Sequence, residues 1–133
     1  MKDQTLWQSE PEAHDYPAAA SYLSLLFPPA VADAIVAALR KQPLVQYKAK
    51  DILRASRLAL LDESNAHVQK DIEKARKGRK LSPVLLVRGD GAQGIPLVVA
   101  DGYHRVCASW WIDEDLDIPC KIADAAAREG HTS

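Results

Sequence analysis

The chain has no surplus of either charge sign. Its 17 Lys and Arg face 18 Asp and Glu across 133 residues, a formal net charge of -1. That balance argues against a bulk DNA or RNA binder, which carries a clear cationic excess. A long apolar run is also missing. The most apolar stretch, Leu23 to Leu39, is broken by Pro28, Pro29 and Asp33, short of the roughly 20 residues that cross a bilayer. Met1 to Trp7 contain no apolar core of a secretory signal, so a soluble, cytoplasmic protein with no membrane partner is expected. Cysteine is scarce: Cys107 and Cys120 stand thirteen positions apart, which fits no metal-site or redox spacing and leaves two buried, reduced thiols as the expectation. No Walker A, Gly-x-Ser-x-Gly or His-Glu-x-x-His motif is present, which removes the commonest nucleotide, acyl-transfer and zinc-hydrolase signatures.

What is there suffices for a core. Apolar residues make up 47% and charged ones 26%, near globular averages, which excludes intrinsic disorder. The length fits one domain. Residues 1–16 are polar and read as a loosely held arm. Residues 17–43 form a helical segment. There Tyr22, Leu25 and Leu26 fall at i, i+3 and i+4, Pro28-Pro29 interrupts, and Val31, Ile35 and Leu39 recur every four residues. These helices are expected either to offer a partner or homodimer surface or to cover a sheet.

Residues 44–124 hold the main domain. Leu44–Ala49 alternates like a strand, and Asp51 is placed to cap a helical turn. Asp62 or Ser64 can cap a longer helix with the apolar stripe Val68, Ile72 and Ala75. Pro83–Arg88 is a continuous apolar run, as in a strand covered on both faces. The glycine-rich turn at 89–94 and the strand Leu97–Ala100 complete a hairpin. A helix and the short strand Ile118–Ile122 follow, then a polar tail over 125–133 that is expected to fray. The fold class is mixed α/β, of the α+β kind, with two short helices before a small sheet.

The most informative stretch is Asp101-Gly102-Tyr103-His104-Arg105. A strand ends there, and Tyr103, Val106, Cys107, Trp110 and Trp111 begin one helix face. His104, Arg105 and Ser109 are left on the other side, and Asp101 is placed as N-cap. A helix N-terminus offers unpaired N–H groups and a positive dipole end, which suits phosphate. Two cationic side chains in that first turn are otherwise unfavourable. They ask for a bound polyanion, or for pairing with the acidic run Asp113–Asp117.

Taken with Ser82-Pro83 upstream and Ile118-Pro119 downstream, this turn resembles the ParB/sulfiredoxin superfamily over about Val45 to Ala123. The resemblance implies a small mixed sheet packed by helices. It also implies a nucleotide di- or triphosphate, ATP, ADP or CTP with Mg²⁺, held at the Gly-x-His-Arg turn. Gly102, Tyr103, His104 and Arg105 would contact phosphate, with Ser82 beside them. His67 falls near the phosphate-binding lysine of sulfiredoxins. The Asp-Gly-x-His-Arg form is closest to that of the superfamily's free-serine kinases, so hydrolysis or phosphotransfer to a small hydroxyl compound is one expectation. Asp101 or Glu63 would then be the base, and Asp101 would also lie near the nucleotide's Mg²⁺. Tyr103 stands where sulfiredoxins carry their catalytic cysteine, so sulfinic acid reduction is not expected. ParB proteins continue into DNA-reading and dimerisation domains, and no such segments follow within these residues. The alternative is a non-catalytic, DNA-associated or partner-binding adaptor.

Three further clusters have two readings each. Lys74, Arg76, Lys77, Arg79 and Lys80 make either a phosphate or nucleic-acid patch or a solvated helix C-terminus. Trp110-Trp111 make either a base-stacking platform or core. The acidic run at Asp113–Asp117 fits a solvated turn better than a calcium loop.

Overall fold

The apolar run Val84-Leu85-Leu86-Val87 has all four side chains buried and becomes an inner strand. In the computed structural model, residues 6–125 are described. The elements are α1 Asp15–Leu23, α2 Pro29–Lys41, β1 Val45–Lys48, α3 Ala49–Ser56, α4 Ala66–Arg76, β2 Val84–Val87, β3 Val98–Asp101, α5 Tyr103–Ile112 and β4 Asp117–Ala123. They build a small α+β domain around one sheet of order β1-β4-β2-β3. Strand β2 runs parallel to β4 and antiparallel to β3, and β1 is antiparallel to β4. The expected hairpin is therefore present.

Because side chains alternate along a strand, β2 feeds two cores. Val84 and Leu86 pack with Ile52, Val68, Ile72 and Val106 under α3, α4 and α5. Leu85 and Val87 pack with Leu23, Ile35 and Leu39 under α1 and α2. The two N-terminal helices thus cover one sheet face. Among the described residues no helix is long and apolar enough to cross a membrane.

Several local expectations are corrected. The stripe Tyr22, Leu25, Leu26 does not pack: Leu25 is 82% exposed and the other two are exposed as well. Helix α1 ends at Leu23, so the stripe runs off the helix, and the buried side is Tyr16, Ala19 and Leu23. The supposed loose arm is packed over residues 6–16. Leu6 and Trp7 are in the core, the Gln8 N–H donates to the Leu81 carbonyl at 2.7 Å, and the Leu81 N–H donates to that of Leu6 at 2.7 Å. Two apolar residues in a polar stretch are enough to anchor it. Residues 1–5 of that arm and 126–133 of the expected tail lie outside the described residues, while Ala125 is buried.

Caps differ too. Asn65 caps α4, its Oδ1 accepting from the N–H groups of His67 at 3.0 Å and Val68 at 3.2 Å. Asp62 instead accepts from the backbone and hydroxyl of Ser64, and Asp51 lies inside the first turn of α3.

Candidate functional site

The β3-to-α5 junction depends on one glycine. Gly102 has φ +112, and a Cβ there would sit 2.5 Å from Val84 Cγ1. Only a residue without a side chain lets β3 turn into α5 so close to β2. Gly102 is itself the N-cap, and no side chain caps α5. Asp101 is not the cap; it is the last residue of β3, with its carboxylate turned to Arg105.

Arg105 points inward. Its side chain is 14% exposed, and its Nη2 donates to Asp101 Oδ2 at 2.6 Å. Its Nη1 donates to the Ser82 carbonyl at 2.8 Å and to the Ser82 hydroxyl. That hydroxyl donates in turn to Asp15 on α1, whose Oδ2 lies 3.7 Å from Arg105 Nη1. The acidic partners are therefore Asp101 and Asp15, not the run Asp113–Asp117, where Asp115 pairs with Lys50 at 2.6 Å. Sequence reasoning missed Asp15, which reaches the site only through the packing of α1. Burial is the largest influence on Asp101 and pushes its carboxyl above the usual range; Arg105 opposes this and Asp15 adds to it.

His104 points the other way, toward α4. Its ring lies 4.8 Å from that of His67, centroid to centroid, and 5.8 Å from Tyr103. His67, Lys70, Asp71 and Lys74 all line a hollow of about 320 Å³ over the α5 N-terminus. Their spacing of i, i+3, i+4 and i+7 places them on one face of α4. That polar stripe, starting at His67, was the overlooked signal for Lys70 and Asp71. Burial lowers the His104 pKa, a charge on His67 would lower it further, and Asp71 opposes both. Burial raises the Asp71 carboxyl, against the pull of Arg105, Lys74, His104 and Lys70. The rear wall is acidic, formed by Asp15 and Glu12, with the His14 ring 3.4 Å from Asp15 and 3.9 Å from Glu12.

The remaining expected residues fall as follows. Ser82 is buried with its hydroxyl engaged by Asp15 and Arg105. Tyr103 lines the hollow, but its hydroxyl donates to the Ala59 carbonyl. Glu63 is exposed and does not line the hollow, so it is not brought to the site. Of the basic segment, Lys74 faces the hollow, whereas Lys80 lines a different one beside Gln46 and Asp117. Ser109 is buried rather than outward, bonded to the Arg105 carbonyl. Trp111 is held by a 2.8 Å bond from Nε1 to the Leu61 carbonyl, and Trp110 packs partly on the core.

Cys107 and Cys120 are free and buried. Burial raises the Cys107 thiol and pushes Cys120 up to about 12. Among the described residues no group of three or more His, Cys, Asp or Glu is arranged to hold a metal ion. Comparisons with family models, with curated proteins and with solved structures yield no match.

Proposed function

We propose that this protein binds the phosphates of a nucleotide di- or triphosphate in the hollow between α4 and α5, as its resemblance to the ParB/sulfiredoxin superfamily implies. One observation carries the reading: an uncapped helix N-terminus faces His104 on its own first turn and His67, Lys70 and Lys74 across from it. Open N–H groups and the dipole favour an anion there. Two lysines and two imidazoles supply mobile charge and donors.

The roles differ from a simple Gly-x-His-Arg reading. Gly102 opens the turn, and His67, Lys70, Lys74 and His104 meet phosphate. Arg105 and Ser82 tie α5 to β2 and α1 and hold the turn in shape. A magnesium ion carried by a nucleotide takes most of its ligands from phosphate and water. Asp71, which lines the same hollow, would be its carboxylate neighbour. Should phosphate be hydrolysed or transferred, Asp71 is also better placed as a base than Asp101, which is bound to Arg105, or Glu63. The adaptor alternative has less to rest on. The basic segment is split between two hollows at Lys74 and Lys80, and the chain's formal net charge is -1, where a nucleic-acid binder carries a cationic excess.

Calorimetric titration with ATP, ADP and CTP, each with Mg²⁺, tests the reading. At least one should bind, and Lys70→Ala with Lys74→Ala should weaken it about tenfold or more, a loss near 1.4 kcal/mol. Absence of binding by all three would overturn it.

A further inference from the structure

A second hollow, of about 660 Å³, opens at the other end of β2, between α3 and the β2–β3 connection. That volume lies within the range of small-molecule sites. Its floor is apolar, formed by Ile52, Leu86, Leu97 and Ile122, with Tyr47 at one side. Its rim carries three guanidinium groups, Arg54, Arg57 and Arg88. One wall is fixed by Gly89, where a Cβ would come within 2.5 Å of the Ile95 carbonyl oxygen. The Leu97 N–H ties that wall to α3 by a 3.0 Å bond to the Ala55 carbonyl.

The rim charges are not all matched. Arg54 pairs with Asp51 at 3.0 Å and Arg88 with Asp124 at 2.9 Å. Arg57 has no carboxylate partner among the described residues; its Nη1 lies 3.3 Å from the Gly94 carbonyl oxygen. Arg57 is thus a guanidinium without a carboxylate beside an apolar floor, among the described residues. Arg57 is also the one non-glycine residue with positive φ among those described, at φ 60 on the C-terminal end of α3. Glycine is preferred at that helix-ending position. Arg57 thus presents a long cationic side chain from a position where the backbone favours none.

We infer that this hollow binds a small carboxylic acid with an apolar body of about one aromatic ring, its carboxylate held by Arg57. Arginine's planar fork matches a carboxylate, the one guanidinium of Arg57 suits a monoanion, and the floor suits an apolar body. The site is independent of the phosphate hollow.

The test follows displacement of the fluorescent aromatic sulfonate 1-anilinonaphthalene-8-sulfonate from the full chain. Competitors are phenylacetate and its neutral counterpart phenylacetamide. Phenylacetate should displace the probe about tenfold better than the amide, the worth of one charge-assisted contact at a partly exposed rim. In Arg57→Gly that preference should vanish while the melting temperature stays equal or rises, because glycine suits the backbone there. Arg57→Gln, which keeps a side chain of similar reach, should also lose the preference. Equal displacement by acid and amide in the wild type, or a preference retained in both variants, would overturn the inference.

Discussion

Arg105 reaches back across the β3-to-α5 turn to place its Nη2 2.6 Å from Asp101 Oδ2, four residues earlier in the chain. The guanidinium therefore ties the turn together, together with Ser82 and Asp15, and leaves His104 as the first-turn side chain that faces α4. A residue expected to hold phosphate is first of all a tie within the domain.

Removing that tie should unfold more than it unbinds. Arg105→Ala leaves Asp101 and Asp15 close together and without their cation, and should cost about 3 kcal/mol in urea unfolding. The double variant Arg105→Ala, Asp101→Asn should cost less than the sum of the two single changes, since the second relieves the charge stranded by the first. Strict additivity would show that the pair is not coupled.

Gly102 should tolerate nothing larger. Gly102→Ala combines an unfavourable positive φ with overlap against Val84 and should cost about 2–4 kcal/mol. Adding Val84→Ala should recover no more than part of it, because the backbone strain remains. A Gly102→Ala protein as stable as wild type would contradict the geometry of the turn.

His104 gives the site a pH signature. Its folded pKa lies below the ordinary 6.5, chiefly through burial. Between the two values the unfolded chain binds more protons than the folded one, so stability rises with pH there. The contribution is complete above pH 6.5 and is lost as pH falls through the lower folded value. Denaturant melts from pH 5 to 8 should show a steeper rise in stability with pH in wild type than in His104→Gln. Bound phosphate favours the charged ring and should oppose the shift, so affinity should tighten as pH falls in the same window.

The cysteines should be inert. With both thiols buried and raised, Cys120 to about 12, Ellman's reagent at pH 8 should label neither in the native protein and both after denaturation in urea. Labelling of the native protein would contradict their placement.

Part of this was legible in the sequence. The run Val84–Val87 announced a strand covered on both faces, and Asp101–Arg105 announced a strand-to-helix turn, because each signal is local. Leu6 and Trp7 were not legible as core, since two apolar residues make no period. The direction of Arg105 was hidden as well. Helical phase puts it off the apolar face, yet its long side chain folds back over the preceding strand to acids that only tertiary packing brings near. Asp15 comes from the first helix, which the sequence does not connect to this turn. Asp71 shares a face with His67, Lys70 and Lys74, but the eye follows the apolar stripe Val68, Ile72 and Ala75 on the same helix.

The most direct measurement of the central claim is the NMR titration of the histidine ring resonances with nucleotide and Mg²⁺. The His67 and His104 signals should shift together with one saturation curve, and the lowered His104 pKa should rise when ligand is bound. Nucleotide binding that leaves both rings unmoved, or no binding at all, would contradict it.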